Sequence, residues 1–140
     1  MKNKAGFLLI ILLLLLGFKY SYSGSNPTSQ PQSKWVAPAT ADQLKNPLTN
    51  PEDAIKEGKK TFQQLCVICH GDFGKGDGMA GASLNPRPAN LTSKDVQSQT
   101  DGAIYWKITQ GNPPMASYKD VLSATQRWQL VDFIRTLKKK

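Results

Sequence analysis

The chain has 140 residues, with 18 basic and 10 acidic side chains, a net charge of +8, two cysteines, three methionines and one histidine. That length fits one domain with tails. The positive charge comes without an aromatic-interleaved basic stripe or a nucleic-acid-binding motif, so nucleic acid is not an expected partner.

Lys2 and Lys4 precede residues 5–18, "AGFLLIILLLLLGF", which carry no charge, and Lys19 closes the run. The run is shorter than the ~20 residues a spanning helix usually needs. Ser21 and Ser23 suit cleavage before Gly24. Residues 1–23 are therefore expected to be an export signal peptide, with an uncleaved N-terminal membrane anchor as the alternative. Cleavage would remove Lys2, Lys4 and Lys19 and bring the net charge from +8 to +5. No cysteine stands near position 24, which excludes a lipid-modified N-terminal cysteine.

Residues 24–49 are rich in Pro, Ser, Thr, Asn and Gln and read as an extended linker. Trp35, Val36, Leu44 and Leu48 are more apolar than a free linker needs. Residues 24–33 are expected to be disordered and 34–48 to lie along the surface of the domain that follows, 50–140.

That domain opens on a helix. Asn50 suits the cap, Pro51 the first helical position, and Glu52 and Asp53 the positive end of the dipole. Ala54, Ile55, Gly58, Phe62 and Leu65 draw one apolar face. Gly58, costly inside a helix, points to close approach by another helix. Residues 71–99 are irregular, with glycines at 71, 74, 76, 78 and 81 and prolines at 86 and 88. A shorter helix fits "TDGAIYWKITQG", capped by Thr100 or Asp101 and ended by Gly111. Pro113 and Pro114 make "GNPPMASYKDVL" a loop. Ser123 and Gln126 form a capping-box pattern that starts the last helix. The expected fold is all-α, with three to four short helices and long loops. Such a domain has a thin core and usually needs a disulfide, metal or cofactor to hold it.

"LCVICHGDF", residues 65–73, holds both cysteines and the only histidine. A Cys66–Cys69 disulfide would close a very small loop, contribute little, and leave His70 unexplained. A thioredoxin-like dithiol wants a βαβ context that is missing here. Structural zinc takes four ligands, and the chain offers three Cys or His. C-x-x-C-H is the signature of covalent haem attachment. Two thiols on one turn reach the vinyl groups on one porphyrin edge as thioethers, and the next residue, His70, is directed at the iron. The cofactor so implied is one covalent haem c with its iron, and the porphyrin supplies the apolar disc that the thin core lacks.

Iron needs a partner on the opposite face, and the choices are Met79, Met115, a weaker donor or an open position. Met79 lies nine residues past His70, too near to pass round the ring edge. Met115 lies 45 residues past His70, enough for a loop, a helix and a return along the far face. The expected axial pair is His70 and Met115, the combination that raises potentials in electron-carrying haem proteins.

"CVICHGDFGKGDG", "NPRPANLT", "IYWKITQGNPPMASY" and "LSATQRWQLVDFIRTL" together resemble a class I monohaem cytochrome c, over roughly residues 50–140. The resemblance implies that the first and last helices cross, with Gly58 and Phe62 meeting Leu130 and Phe133. It also implies that His70 bonds a backbone carbonyl in the loop marked by Pro86 or Pro88. Residues 35–48, "WVAPATADQLKNPL", are similar to an extension in some bacterial respiratory cytochromes, including monohaem subunits of quinol-oxidising complexes. Many relatives read Met-Pro at the ligand loop, where this chain has Met115 followed by Ala116.

"GDGMAG", residues 76–81, matches a dinucleotide fingerprint only in its letters, since it lacks the preceding strand and following helix. Asp72 and Asp77 lack the alternating spacing of a calcium loop. The expected activity is thus one-electron transfer in a respiratory chain, by a carrier and not an enzyme in its own right. It would be periplasmic or on the outer face of the cytoplasmic membrane. Its expected partners are redox proteins, above all membrane respiratory complexes, and residues 5–18 would supply any membrane association. Lys75, Lys107 and Lys119 are candidate rim residues. The alternative is a ligand-binding or peroxidatic haem protein with an open sixth position.

Overall fold

Asn50 accepts a hydrogen bond at Oδ1 from the Asp53 backbone N–H (3.3 Å) and starts helix α1, Pro51–Leu65, in a computed structural model that describes residues 35–138. Those residues lie within one compact unit, Gln32–Lys140. The expected signal peptide or anchor, 1–23, and the expected disordered stretch, 24–33, lie outside the described residues. Helices α2 (Val67–His70), α3 (Lys94–Gln97), α4 (Asp101–Gln110) and α5 (Ala124–Thr136) follow, with 3-10 turns at Ala39–Gln43 and Gly81–Ser83. Among the described residues there is no strand, only an isolated bridge between Asn112 and Met115.

The fold is all-α, as expected, but with five α-helices among the described residues in place of three to four. The surplus lies in α2 and α3, each four residues long. One turn is too short to show the helical period that makes longer helices visible in a sequence.

Side-chain caps fix the longer helices where the sequence places them. Thr100 Oγ1 accepts from the Ala103 N–H (3.0 Å) at the start of α4, and Gly111, at φ 68°, ends it. In α5, Ser123 Oγ accepts from the Gln126 N–H (3.2 Å), and Gln126 Oε1 accepts from the Ser123 N–H (3.0 Å). These reciprocal bonds satisfy two donors that a helix start otherwise leaves unpaired.

Helices α1 and α5 form the most extensive helix pair. Gly58 makes that possible: a Cβ there would lie 1.9 Å from the Gln129 carbonyl oxygen and 3.0 Å from Phe133 Cβ. The contact is with the backbone of Gln129, next to the Leu130 that the resemblance implied. Phe62 and Phe133 meet with ring centroids 5.1 Å apart and planes tilted by 54°. Around this pair the core gathers Ile104 and Ile108 from α4, Leu122, and Trp128, Leu130, Val131 and Ile134 from α5.

Residues 35–48 pack on α4 and α5. Ala41 is buried, and its carbonyl oxygen lies 2.0 Å from where a Cβ on Gly102 would stand. Thr100 Oγ1 donates to Asp42 (2.6 Å), and Asn46 Nδ2 donates to Asp132 (2.7 Å). Trp35 meets Trp106 at 6.3 Å between centroids.

Candidate haem-attachment site

Cys66 ends α1 and leads into α2, the single turn that contains Cys69 and His70. The two cysteines are not bonded to each other, and both are half-buried. Burial, with a further contribution from Cys69, pushes the Cys66 thiol up to about 12. Burial therefore disfavours the charged form of this sulfur.

A one-turn helix leaves its carbonyls without helical partners. The following loop supplies donors to three of them: Ala80 N–H to Ile68 O (2.9 Å), Gly78 N–H to Cys69 O (3.1 Å) and Gly76 N–H to His70 O (2.8 Å). The residues that imitate a dinucleotide fingerprint thus wrap and fix the turn.

His70 Nδ1 lies 3.1 Å from the Ala89 carbonyl oxygen. A carbonyl only accepts, so Nδ1 carries the proton and Nε2 keeps a free lone pair. Burial holds the imidazole below its ordinary range, and the Ala89 bond opposes that shift in part. The neutral ring is the form that binds a metal. Ala89 directly follows Pro88, so of the two prolines it is Pro88 that marks the accepting loop.

Met115 follows α4. Its N–H donates to Asn112 O (2.9 Å), and its carbonyl accepts from the Asn112 N–H (3.0 Å), closing the Pro113–Pro114 turn. Tyr118 then ties this loop to the attachment turn. Its N–H donates to Ile108 O (3.2 Å) and its hydroxyl to Leu65 O (3.3 Å), the residue before Cys66. Burial raises the Tyr118 hydroxyl, and the two nearby cysteines raise it further. Met115 is half-buried, whereas Met79 is 84% exposed. Leu65, Val67, Leu91, Tyr105 and Tyr118 pack on the core beside Cys66 while remaining only partly buried.

These residues fit a covalently attached haem: two cysteines at one turn, a histidine with a free Nε2, and incompletely covered apolar side chains. Sequence reasoning did not find Ala89 or Tyr118 as individual partners. Ala89 acts through its backbone, which no side-chain pattern reports. Tyr118 was legible only as an aromatic three residues past Met115. Of the candidate rim lysines, Lys75 and Lys119 are exposed. Lys107 is half-buried, donates to Gln99 Oε1 (2.6 Å) and lies 5.3 Å from the Trp35 ring centroid.

Residues 53–134 match the family model described as cytochrome C oxidase, cbb3-type, subunit III. Among solved structures, the chain is similar to the Kuenenia stuttgartiensis reducing HAO-like protein complex Kustc0457/Kustc0458, at 28% identity and a TM-score of 0.58. That similarity covers 69% of this chain and 50% of the other, so the chain spans half of that neighbour's length. It is also similar to the KustC0563 c-type cytochrome, at 27% identity and a TM-score of 0.51, over 59% of this chain and 98% of the other. A comparison with curated proteins gives no match.

Proposed function

We propose, for a chain that belongs to the family of cytochrome C oxidase, cbb3-type, subunit III, that His70 and Met115 hold its haem iron from opposite faces while Cys66 and Cys69 carry the porphyrin. The chain is a class I monohaem cytochrome c with covalently bound haem c and iron, and it moves electrons through that group. The haem iron supplies the chemistry, taking up one electron and giving it back.

The observation that carries the ligand assignment is the Ala89 bond at Nδ1 of His70, which leaves Nε2 as the donor. Cys66 and Cys69 anchor the group through carbon–sulfur bonds, so it stays with the protein in both oxidation states. Met115 is the better second ligand because its loop is closed on itself and tied to Leu65 through Tyr118. With His70 and Met115 both holding the iron, no position would be left for a substrate, and the domain would carry electrons without catalysing a reaction of its own.

The proposed setting is a bacterial respiratory chain outside the cytoplasmic membrane. The apolar run 5–18 supports export. The likeness to a chain within a multiprotein HAO-like complex supports redox proteins as partners. Among the described residues no helix is long and apolar enough to cross a membrane.

A weak far-red absorption band of the ferric protein reports methionine on iron. Met115→Ala is expected to abolish it and Met79→Ala to leave it unchanged. Loss of the band in the Met79 variant instead would overturn the ligand assignment. Ready binding of carbon monoxide by the ferrous wild type would replace the carrier reading with an open-site haem protein.

A further inference from the structure

Arg127 is a buried charge whose presence the packing of the core does not explain. It lies in the first turn of α5 and is 8% exposed, and its Nε and Nη1 donate to no acceptor. Among the described residues no carboxylate is ion-paired with it. Arg135, further along the same helix, shows the ordinary arrangement: its Nε, Nη1 and Nη2 all donate to oxygens. A guanidinium keeps its proton in proteins. Burying such a charge without a counter-ion is costly.

An aromatic face holds Arg127 instead. Its guanidinium carbon lies 5.2 Å from the centroid of the Tyr105 ring. Tyr105 in turn stacks on Trp128, with centroids 4.1 Å apart and planes 15° from parallel. The face of a ring attracts a cation but does not neutralise it. A net positive charge therefore stays in the interior. Tyr105 and Cys66 pack against the same apolar core, so this charge and the haem iron share one low-dielectric interior.

Such a charge acts differently on the two states of the iron. Ferric iron carries one more positive charge than ferrous, so a nearby cation disfavours it and favours the state that has taken up the electron. A domain of about 100 residues has a radius of gyration of about 13 Å, which puts any buried charge roughly 10–20 Å from the iron. At an effective dielectric constant of about 20, the repulsion shifts the ferrous-to-ferric ratio by about four- to fifteenfold.

We propose that Arg127, an unpaired cation held by the Tyr105–Trp128 stack, raises the reduction potential of the haem iron. The proposal rests on haem attachment at Cys66 and Cys69. It does not rest on Met115 as a ligand, which the far-red band reports separately.

The test is a redox titration of the full-length haem-loaded protein and of its Arg127→Met variant, which keeps an apolar stem and loses the charge. At a fixed applied potential, the ferrous-to-ferric ratio of the variant is expected to be about four- to fifteenfold lower. The difference should persist in salt, because buried charges are little screened. Arg127→Gln gives the same comparison if the methionine variant does not fold. Arg127→Lys places a titratable charge at the same position, and buried lysines lose their proton as low as about pH 5–6. Its potential should match wild type in acid and approach that of the methionine variant as pH rises, a pattern that loss of packing alone does not produce. Ratios for wild type and both neutral variants within about twofold of each other overturn the proposal. So does a lysine variant that tracks the methionine variant from about pH 5 upward. A pH dependence near neutrality in the neutral variants that wild type lacks also overturns it, by pairing Arg127 with a haem propionate.

Discussion

Nδ1 of His70 and the carbonyl oxygen of Ala89 stand 3.1 Å apart and join two loops 19 residues apart in sequence. The bond fixes the ring's tautomer and orientation before any metal chemistry begins, and it makes Nε2 a more basic donor. One backbone carbonyl thus decides which nitrogen faces the metal. Four predictions concern the structure that holds this arrangement in place.

Gly58→Ala sets a helix-propensity gain of up to about 1 kcal/mol against a steric clash. The clash wins, because the new Cβ would stand 1.9 Å from a main-chain oxygen of α5, which cannot rotate away. Separating α1 from α5 is expected to cost about 1–3 kcal/mol and to lower the melting temperature by about 5–20 °C. Thermal unfolding of the haem-loaded protein checks this; an unchanged or raised midpoint would show that the helices are not locked at Gly58.

Tyr118→Phe removes the hydroxyl that reaches Leu65 while keeping the ring. The expected cost is about 1 kcal/mol. The loss should appear first at the Met115 loop, so the far-red band should disappear at lower urea than the overall unfolding transition. If the two transitions shift together, Tyr118 supports the whole domain and not the loop in particular.

Arg135 joins α5 to the first residue of α4 and to the segment before it. Its Nε donates to Asp101 Oδ1 (2.6 Å), and its two terminal nitrogens donate to the carbonyls of Gln97 and Gln99. Lysine cannot reach all three acceptors from one position. Arg135→Lys is therefore expected to lose about 1–2 kcal/mol in denaturant unfolding, although the charge is kept. A variant as stable as wild type would mean that the charge alone matters.

Asp132 has a carboxyl held above the ordinary carboxylate range. Burial is the main cause, the Asn46 hydrogen bond opposes it, and Asp101 adds to it. A carboxyl with a raised folded-state value binds its proton more tightly in the folded protein. Its contribution to stability is thus full below the ordinary value of 3.8 and is lost as pH rises through the folded value. Asp132→Asn should match wild type in acid and gain relative stability as pH rises through that window. The gain should stay under about 1 kcal/mol, because the side chain is only partly buried. Unfolding curves of both proteins across the acid range measure it; a relative gain that shrinks with rising pH would reverse the assigned sign.

The parts of the fold that were legible in the sequence are those specified by local chemistry. Asn50, Thr100 and Ser123 cap their helices with their own side chains, so one residue announces each start. The helix contact at Gly58 was legible because a glycine inside an amphipathic helix lacks a local reason. The one-turn helix α2 was not legible, since it is held by donors of the loop that follows, Gly76, Gly78 and Ala80, and α3, although Ser93 caps it, is too short to show a helical period. The same holds for the site: Cys66, Cys69 and His70 advertise their chemistry by residue type, whereas Ala89 contributes a main-chain atom that every residue has.

The extension around Ala41 has a consequence for what counts as the domain. The family match begins at residue 53, yet Ala41 is packed against Gly102 near the start of α4. Residues well upstream of the shared family region thus pack on the first turn of the helix whose far end leads into the Met115 turn. A protein trimmed to residue 53 would keep its attachment turn, but it would lose the Asn50 cap and first two residues of α1 as well as the packing of Ala41 on the first turn of α4. The packed unit is therefore larger than the segment that the family model matches.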